Sequence, residues 1–129
     1  MRFKNTVIAG LGALFVLGLG APAMADGDAA AGKKVFAKCR ACHKMEAGKN
    51  GVGPSLHNIV GREVATAEGF TKYSKAMKAF GEGKTWDEEL LNTFLEKPKD
   101  LVKGTKMAFP GLRKPEQRAD VIAYLKSVE

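Results

Sequence analysis

The feature that most constrains this 129-residue sequence is Cys39-Arg40-Ala41-Cys42-His43, because these are its only two cysteines and a histidine directly follows the second. Whatever the chain folds into must give both sulfurs and that imidazole a common purpose. The residues at the start narrow the choice. "MRFKN" carries Arg2 and Lys4, the apolar stretch "TVIAGLGALFVLGL" follows, and Ala23-Met24-Ala25 offers the small residues that a signal peptidase reads. The sequence therefore predicts a secretory leader over 1–25, cleaved after Ala25, and a single mature domain over 26–129 in the periplasm. An uncleaved anchor fits less well, since the apolar run is shorter than the roughly 20 residues of a spanning helix and is rich in glycine. Export takes the cysteines out of the reducing cytosol into a compartment where they would ordinarily oxidise.

Four uses of Cys39, Cys42 and His43 compete. A zinc ion wants four ligands, only His57 remains as a strong further donor, and adjacent Cys42 and His43 are awkward partners on one tetrahedral ion. A redox-active dithiol belongs after a strand in a βαβ unit, and no strand pattern precedes the motif. A structural disulfide would close so small a loop that it removes little entropy from the unfolded chain, and it leaves His43 idle. Covalent haem attachment uses all three residues. Each thiol adds across a vinyl group to form a thioether, and His43 ligates the iron from one face.

The second face then decides the chemistry, because an open sixth position permits ligand binding whereas a second protein ligand restricts the iron to electron transfer. The mature chain offers Met45, Met77, Met107 and His57. Met45 is too near His43 in sequence to cross the ring. Met77 lies on a helical face where an ordinary core role suffices, and His57 sits in a glycine-rich loop. Met107, in "KGTKMAFPG", is far along the chain on a segment free to fold back over the haem, and is the best candidate. A soft thioether favours Fe(II), so a His43/Met107 pair predicts a fairly high reduction potential.

The rest of the chain reads as helices separated by long loops. Asp28 is placed to cap a short helix running into the motif. Residues 46–69 contain five glycines and Pro54 with no sustained period, which predicts a long loop; such a loop in a small domain usually wraps something. Tyr73, Ala76, Met77 and Phe80 mark a weak helix over 71–80. Thr85 and Glu88 form a capping-box pattern before Trp86, Leu90, Leu91, Phe94 and Leu95, and Pro98 closes that segment. Residues 99–114 read as a second loop. Val121, Ile122, Tyr124, Leu125 and Val128 then form a stripe after Pro115. No segment alternates as a strand would, so the class is all-α with three to five short helices. So few long aliphatic side chains bury only a marginal core, which a bound apolar cofactor would supplement.

With these motifs in order, the chain resembles the class I c-type cytochromes, the family of mitochondrial cytochrome c and its soluble bacterial relatives. "KVFAKCRACH", "GPSLHNIVGR", "TW", "FLEKP", "GTKMAFPG" and "DVIAYLK" carry the likeness, which spans essentially all of 26–129. The resemblance implies a cytochrome c fold wrapped around one haem c attached through Cys39 and Cys42. It implies that the Pro54 carbonyl accepts the His43 Nδ1 proton, and that Arg62, Tyr73, Trp86 and Thr105 surround or bond the haem propionates. A lone tryptophan on an amphipathic helix is equally a core residue. Gly32 and Phe36 match a close crossing of the first and last helices against Tyr124 and Leu125. Three departures stand out. Phe94 replaces a tyrosine whose hydroxyl reaches the methionine sulfur in many relatives, the stretch between Gly69 and Trp86 is slightly longer than in mitochondrial proteins, and "KDLVKG" lacks a proline often found before that glycine, which would ease opening of the methionine loop at alkaline pH.

The function implied is a monomeric, periplasmic single-electron carrier rather than an enzyme. The alternative is a ligand-binding or weakly peroxidatic haem protein with a labile sixth ligand. Of the 21 basic residues, Arg2 and Lys4 belong to the leader; the remaining 19 against 14 acidic ones leave a formal +5. Lys33, Lys34, Lys38, Arg40 and Lys44 flank the motif, and Lys97, Lys99, Lys103 and Lys106 flank Met107. This basic rim suits acidic docking faces on an oxidase, a cytochrome bc complex or a photosynthetic reaction centre. Nucleic acid is argued against by export, and stable membrane insertion is not expected.

Overall fold

The computed structural model describes residues 26–129, together with Gly10, Gly12 and Ala13. The expected leader and its cleavage site otherwise lie outside the described residues. Helix α1, Ala29–Phe36, begins where the sequence places it, because the Asp28 carboxylate accepts from the Ala30 and Ala31 N–H groups at 2.8 and 3.3 Å. Past Phe36 the chain tightens into successive turns, with Cys39 N–H donating to Phe36 O at 2.8 Å and His43 N–H to Cys39 O at 3.0 Å. The motif therefore rides on a wound extension of α1.

Helix α5, Pro115–Ser127, buries Val121, Ile122 and Leu125. It crosses α1 at Gly32, where a Cβ would overlap the Asp120 carbonyl and come within 2.8 Å of Tyr124 Cβ. Only glycine admits so close a meeting of backbones. Around that point Phe36 and Tyr124 pack with ring centroids 5.2 Å apart, and Asp28 N–H donates to Asp120 Oδ1 at 2.8 Å.

Between these ends lie three shorter helices, and each corrects the sequence reading in one respect. α2 spans Lys75–Gly81 rather than 71–80, because the Ser74 hydroxyl caps it by accepting from Met77 N–H at 2.9 Å. Tyr73 is thus outside the helix. α3 spans Glu88–Glu96, and its cap is Asp87, whose carboxylate accepts from Leu90 N–H at 2.7 Å, rather than Thr85. An aspartate offers a charged acceptor at the positive helix end, and Thr85 is engaged elsewhere, in an isolated antiparallel bridge to Glu63. α4, Pro98–Leu101, occupies the start of what reads as a loop: extended Lys97 ends α3, and Pro98 opens a new turn instead of merely closing the old one. Among the described residues there is no strand, and the class is all-α.

The helices and the 46–69 loop share one apolar cluster. Ile59 and Val64 from the loop join Trp86, Leu91, Phe94 and Leu95 of the α3 region, Val102 and Leu112 beside the Met107 segment, and the buried stripe of α5. Gly32→Val in the haem-loaded protein should lower stability by about 1–3 kcal/mol through overpacking at the crossing, read as a lower urea midpoint.

Candidate haem site

The turns after α1 leave Cys39 partly buried and Cys42 exposed, both as free thiols. Burial pushes the Cys39 thiol above its ordinary pKa, against the pull of neighbouring Lys38. His43 is held differently. Its Nδ1 lies 2.7 Å from the Pro54 carbonyl, which can only accept, so Nδ1 carries the proton and Nε2 keeps its lone pair. Burial lowers the pKa of the ring, and the Arg62 charge adds to this against the Pro54 hydrogen bond. Both effects favour the neutral imidazole that a metal ligand requires.

Pro54 holds its place because the loop around it is pinned by polar side chains. Asn50 Oδ1 accepts from Ser55 N–H at 2.9 Å while its Nδ2 donates to Glu68 O at 3.0 Å. Buried Ser55 donates its hydroxyl to Glu46 O at 2.6 Å and accepts from His57 N–H at 3.2 Å. The loop also folds back on the motif, with Gly53 N–H donating to Cys42 O at 2.9 Å. A Cβ on Gly53 would come within 2.5 Å of His43 Cε1, so the imidazole lies flat against bare backbone.

A second group of residues is gathered about Arg62. Its guanidinium donates from Nη1 to His57 O at 2.9 Å, and its backbone carbonyl accepts from Trp86 N–H at 2.8 Å. The Tyr73 hydroxyl accepts from Ala67 N–H at 3.0 Å, leaving its own proton to donate. Trp86 is buried in the apolar cluster, 5.0 Å from Phe94 and 6.3 Å from Phe80 between ring centroids. His57 serves the loop through its backbone. On the methionine side, Thr105 Oγ1 accepts from Met107 N–H at 3.2 Å, and Met107 and Phe109 pack half-buried against the same cluster as Cys39.

Residues 29–129 match the cytochrome c family. The chain belongs to that family. The cytochrome is 52% identical to cytochrome c-554 of Methylosinus trichosporium over 80% of this chain and 76% of that protein. It is 48% identical to cytochrome c2 of Rhodomicrobium vannielii over 95% and 94% of the two chains. Among solved structures, cytochrome cH of Methylobacterium extorquens is similar at 50% identity and a TM-score of 0.72, covering 78% of this cytochrome and 99% of that chain. The family's prosthetic group is covalent haem c, and its members carry electrons rather than catalyse a reaction. The cytochrome's own residues fit that group. Two free thiols stand at the attachment spacing, His43 presents an unprotonated Nε2, and Arg62 Nε is buried without a hydrogen-bond partner among the described residues, as an arginine awaiting a propionate would be.

The loop scaffold of Asn50 and Ser55 escapes a reading of the sequence. Asparagine and serine beside Gly51 and Gly53 signal only a turn, and the spacing of five between Asn50 and Ser55 is not a recognised motif. Asn50→Ala removes both arms at once. The haem-loaded variant should be about 1–3 kcal/mol less stable, measured by urea unfolding.

Proposed function

We propose that this cytochrome is a periplasmic shuttle that moves single electrons between membrane-bound redox complexes, with His43 and Met107 as the two side chains that would hold its haem iron. The observation that carries this reading is the 2.7 Å contact between His43 Nδ1 and Pro54 O, which fixes the tautomer and aims one donor atom. When bound at Cys39 and Cys42, haem c supplies an iron that changes between Fe(III) and Fe(II) with no bond made or broken in a substrate.

The chain's own residues do the rest. Pro54 draws on the Nδ1 proton and makes the His43 imidazole a better donor. Met107 supplies the soft sulfur that favours the reduced state, with Thr105 holding its backbone. Arg62, through its unpartnered Nε, would hold a propionate, and Tyr73 has a hydroxyl proton to give. Trp86 links the Arg62 backbone to the core and shields that edge from water. The leader over 1–25 delivers the chain to the periplasm, and the mature domain acts as a monomer. Among the described residues no helix is long and apolar enough to cross a membrane.

The basic residues flanking the motif and Met107 are all exposed, from Lys33 through Lys44 and from Lys97 through Lys106. They steer the carrier to acidic faces of its partners.

Optical spectra of the exported protein test the ligand pair. The wild type should show a far-red ferric band from the iron–sulfur bond. Met107→Ala should abolish it and lower the reduction potential by on the order of 0.1 V or more, within the roughly 0.8 V that axial ligation spans. An unchanged spectrum and potential would remove Met107 from the iron, and fast cyanide binding by the wild type would favour the ligand-binding alternative. Steering predicts that electron transfer to an acidic partner slows about tenfold or more between low salt and about 0.3 M salt. A flat stopped-flow profile would rule it out.

A further inference from the structure

Arg118, in the first turns of α5, is buried, with 6% of its surface exposed. Its guanidinium makes three hydrogen bonds, from Nε to Asn92 Oδ1 at 2.9 Å and from Nη1 to Leu112 O at 2.7 Å and Arg113 O at 3.0 Å. All three acceptors are neutral. A cation near a helix N-terminus also opposes the macrodipole, and burying one is costly unless its hydrogen bonds are met. What this position gains is geometric: a rigid planar fork joins two consecutive carbonyls ahead of α5 to a side chain of α3.

Those carbonyls belong to the segment that leaves Met107. Leu112 is fully buried, and its N–H donates to Leu95 O at 2.7 Å. Upstream, fully buried Val102 is the matching anchor, its N–H donating to Pro98 O at 2.9 Å. Met107 therefore lies near the middle of a span, 103–111, stretched between two buried residues. Val102 is held by its own helical turn, whereas Leu112 depends on α3 and on Arg118.

We infer that Arg118 is a positioning residue for Met107: by clamping Leu112 and Arg113 to Asn92 it sets how often the methionine sulfur leaves its place. This rests on Met107 being the sixth ligand. Lysine keeps the charge but cannot serve three acceptors in one plane. Losing one hydrogen bond to a charged group corresponds to about a tenfold change in an equilibrium.

The test uses ferric, haem-loaded protein and saturating cyanide, where the observed rate equals the rate at which Met107 departs. Arg118→Lys should react about tenfold faster than wild type and show a weaker far-red band. Asn92→Ala, which removes one arm, should show a smaller rise in the same direction. Val121→Ala creates a cavity beside α5 while leaving all three acceptors of Arg118 in place, and should lower the urea midpoint while leaving the cyanide rate unchanged. A wild-type rate in Arg118→Lys overturns the inference, as does a Val121→Ala rate that rises as much at matched stability. If Arg118→Lys fails to take up haem, a wild-type rate in Asn92→Ala overturns it. A wild type with no far-red band refutes the ligand assignment itself, and the inference falls with it.

Discussion

Where α1 crosses α5, the absence of a side chain at Gly32 lets two backbones meet, and that contact closes the two ends of the described chain on each other. The turns carrying Cys39, Cys42 and His43 follow directly from α1, so the crossing fixes where the motif begins. Phe36, the last residue of α1, packs on Tyr124 and belongs to the same apolar cluster as Leu112 beside the Met107 segment. One steric requirement at a single glycine thus orients the turn of His43 relative to the framework that carries Met107.

The site itself is built less by the core than by backbone polar groups with assigned partners. Pro54 presents a carbonyl to His43, Asn50 and Ser55 pin the residues around it, and Arg118 draws together carbonyls ahead of α5. A loop of this length without regular structure would leave many buried donors and acceptors unmet, each costly. Short polar side chains answer that demand here. Among the described residues one buried side-chain polar atom, Arg62 Nε, is left without a partner in the protein.

Much of this was legible in the sequence because it rests on local patterns. Asp28 caps α1 as expected, since an N-cap acts within three residues. The helical class and the apolar stripe of α5 followed from periodicity, except that Val128 lies past the helix end and is exposed, and the Pro54 contact followed from family likeness. Errors arose where neighbouring signals compete or where the partner is distant. Thr85 and Asp87 both suit an N-cap, and the pairing of 61–64 with 84–86, invisible to periodicity, takes Thr85 away and leaves Asp87. α4 is a single turn, too short to show a period. Nothing in the sequence singles out Arg118; only its contacts with Asn92 and Leu112, brought together by tertiary folding, reveal a buried clamp.

The closure at Gly32 bears on how such a domain can be joined to other things. Asp28 is bonded to Asp120, and the Lys126 ammonium, its pKa raised first by Glu88, also feels Asp26. Both described ends therefore emerge on one side, about 12 Å of α1 away from the cysteine turns at 1.5 Å per residue. A tether or a fusion partner can be attached on that side, away from the cysteine turns, which makes this scaffold adaptable to anchoring or tandem arrays.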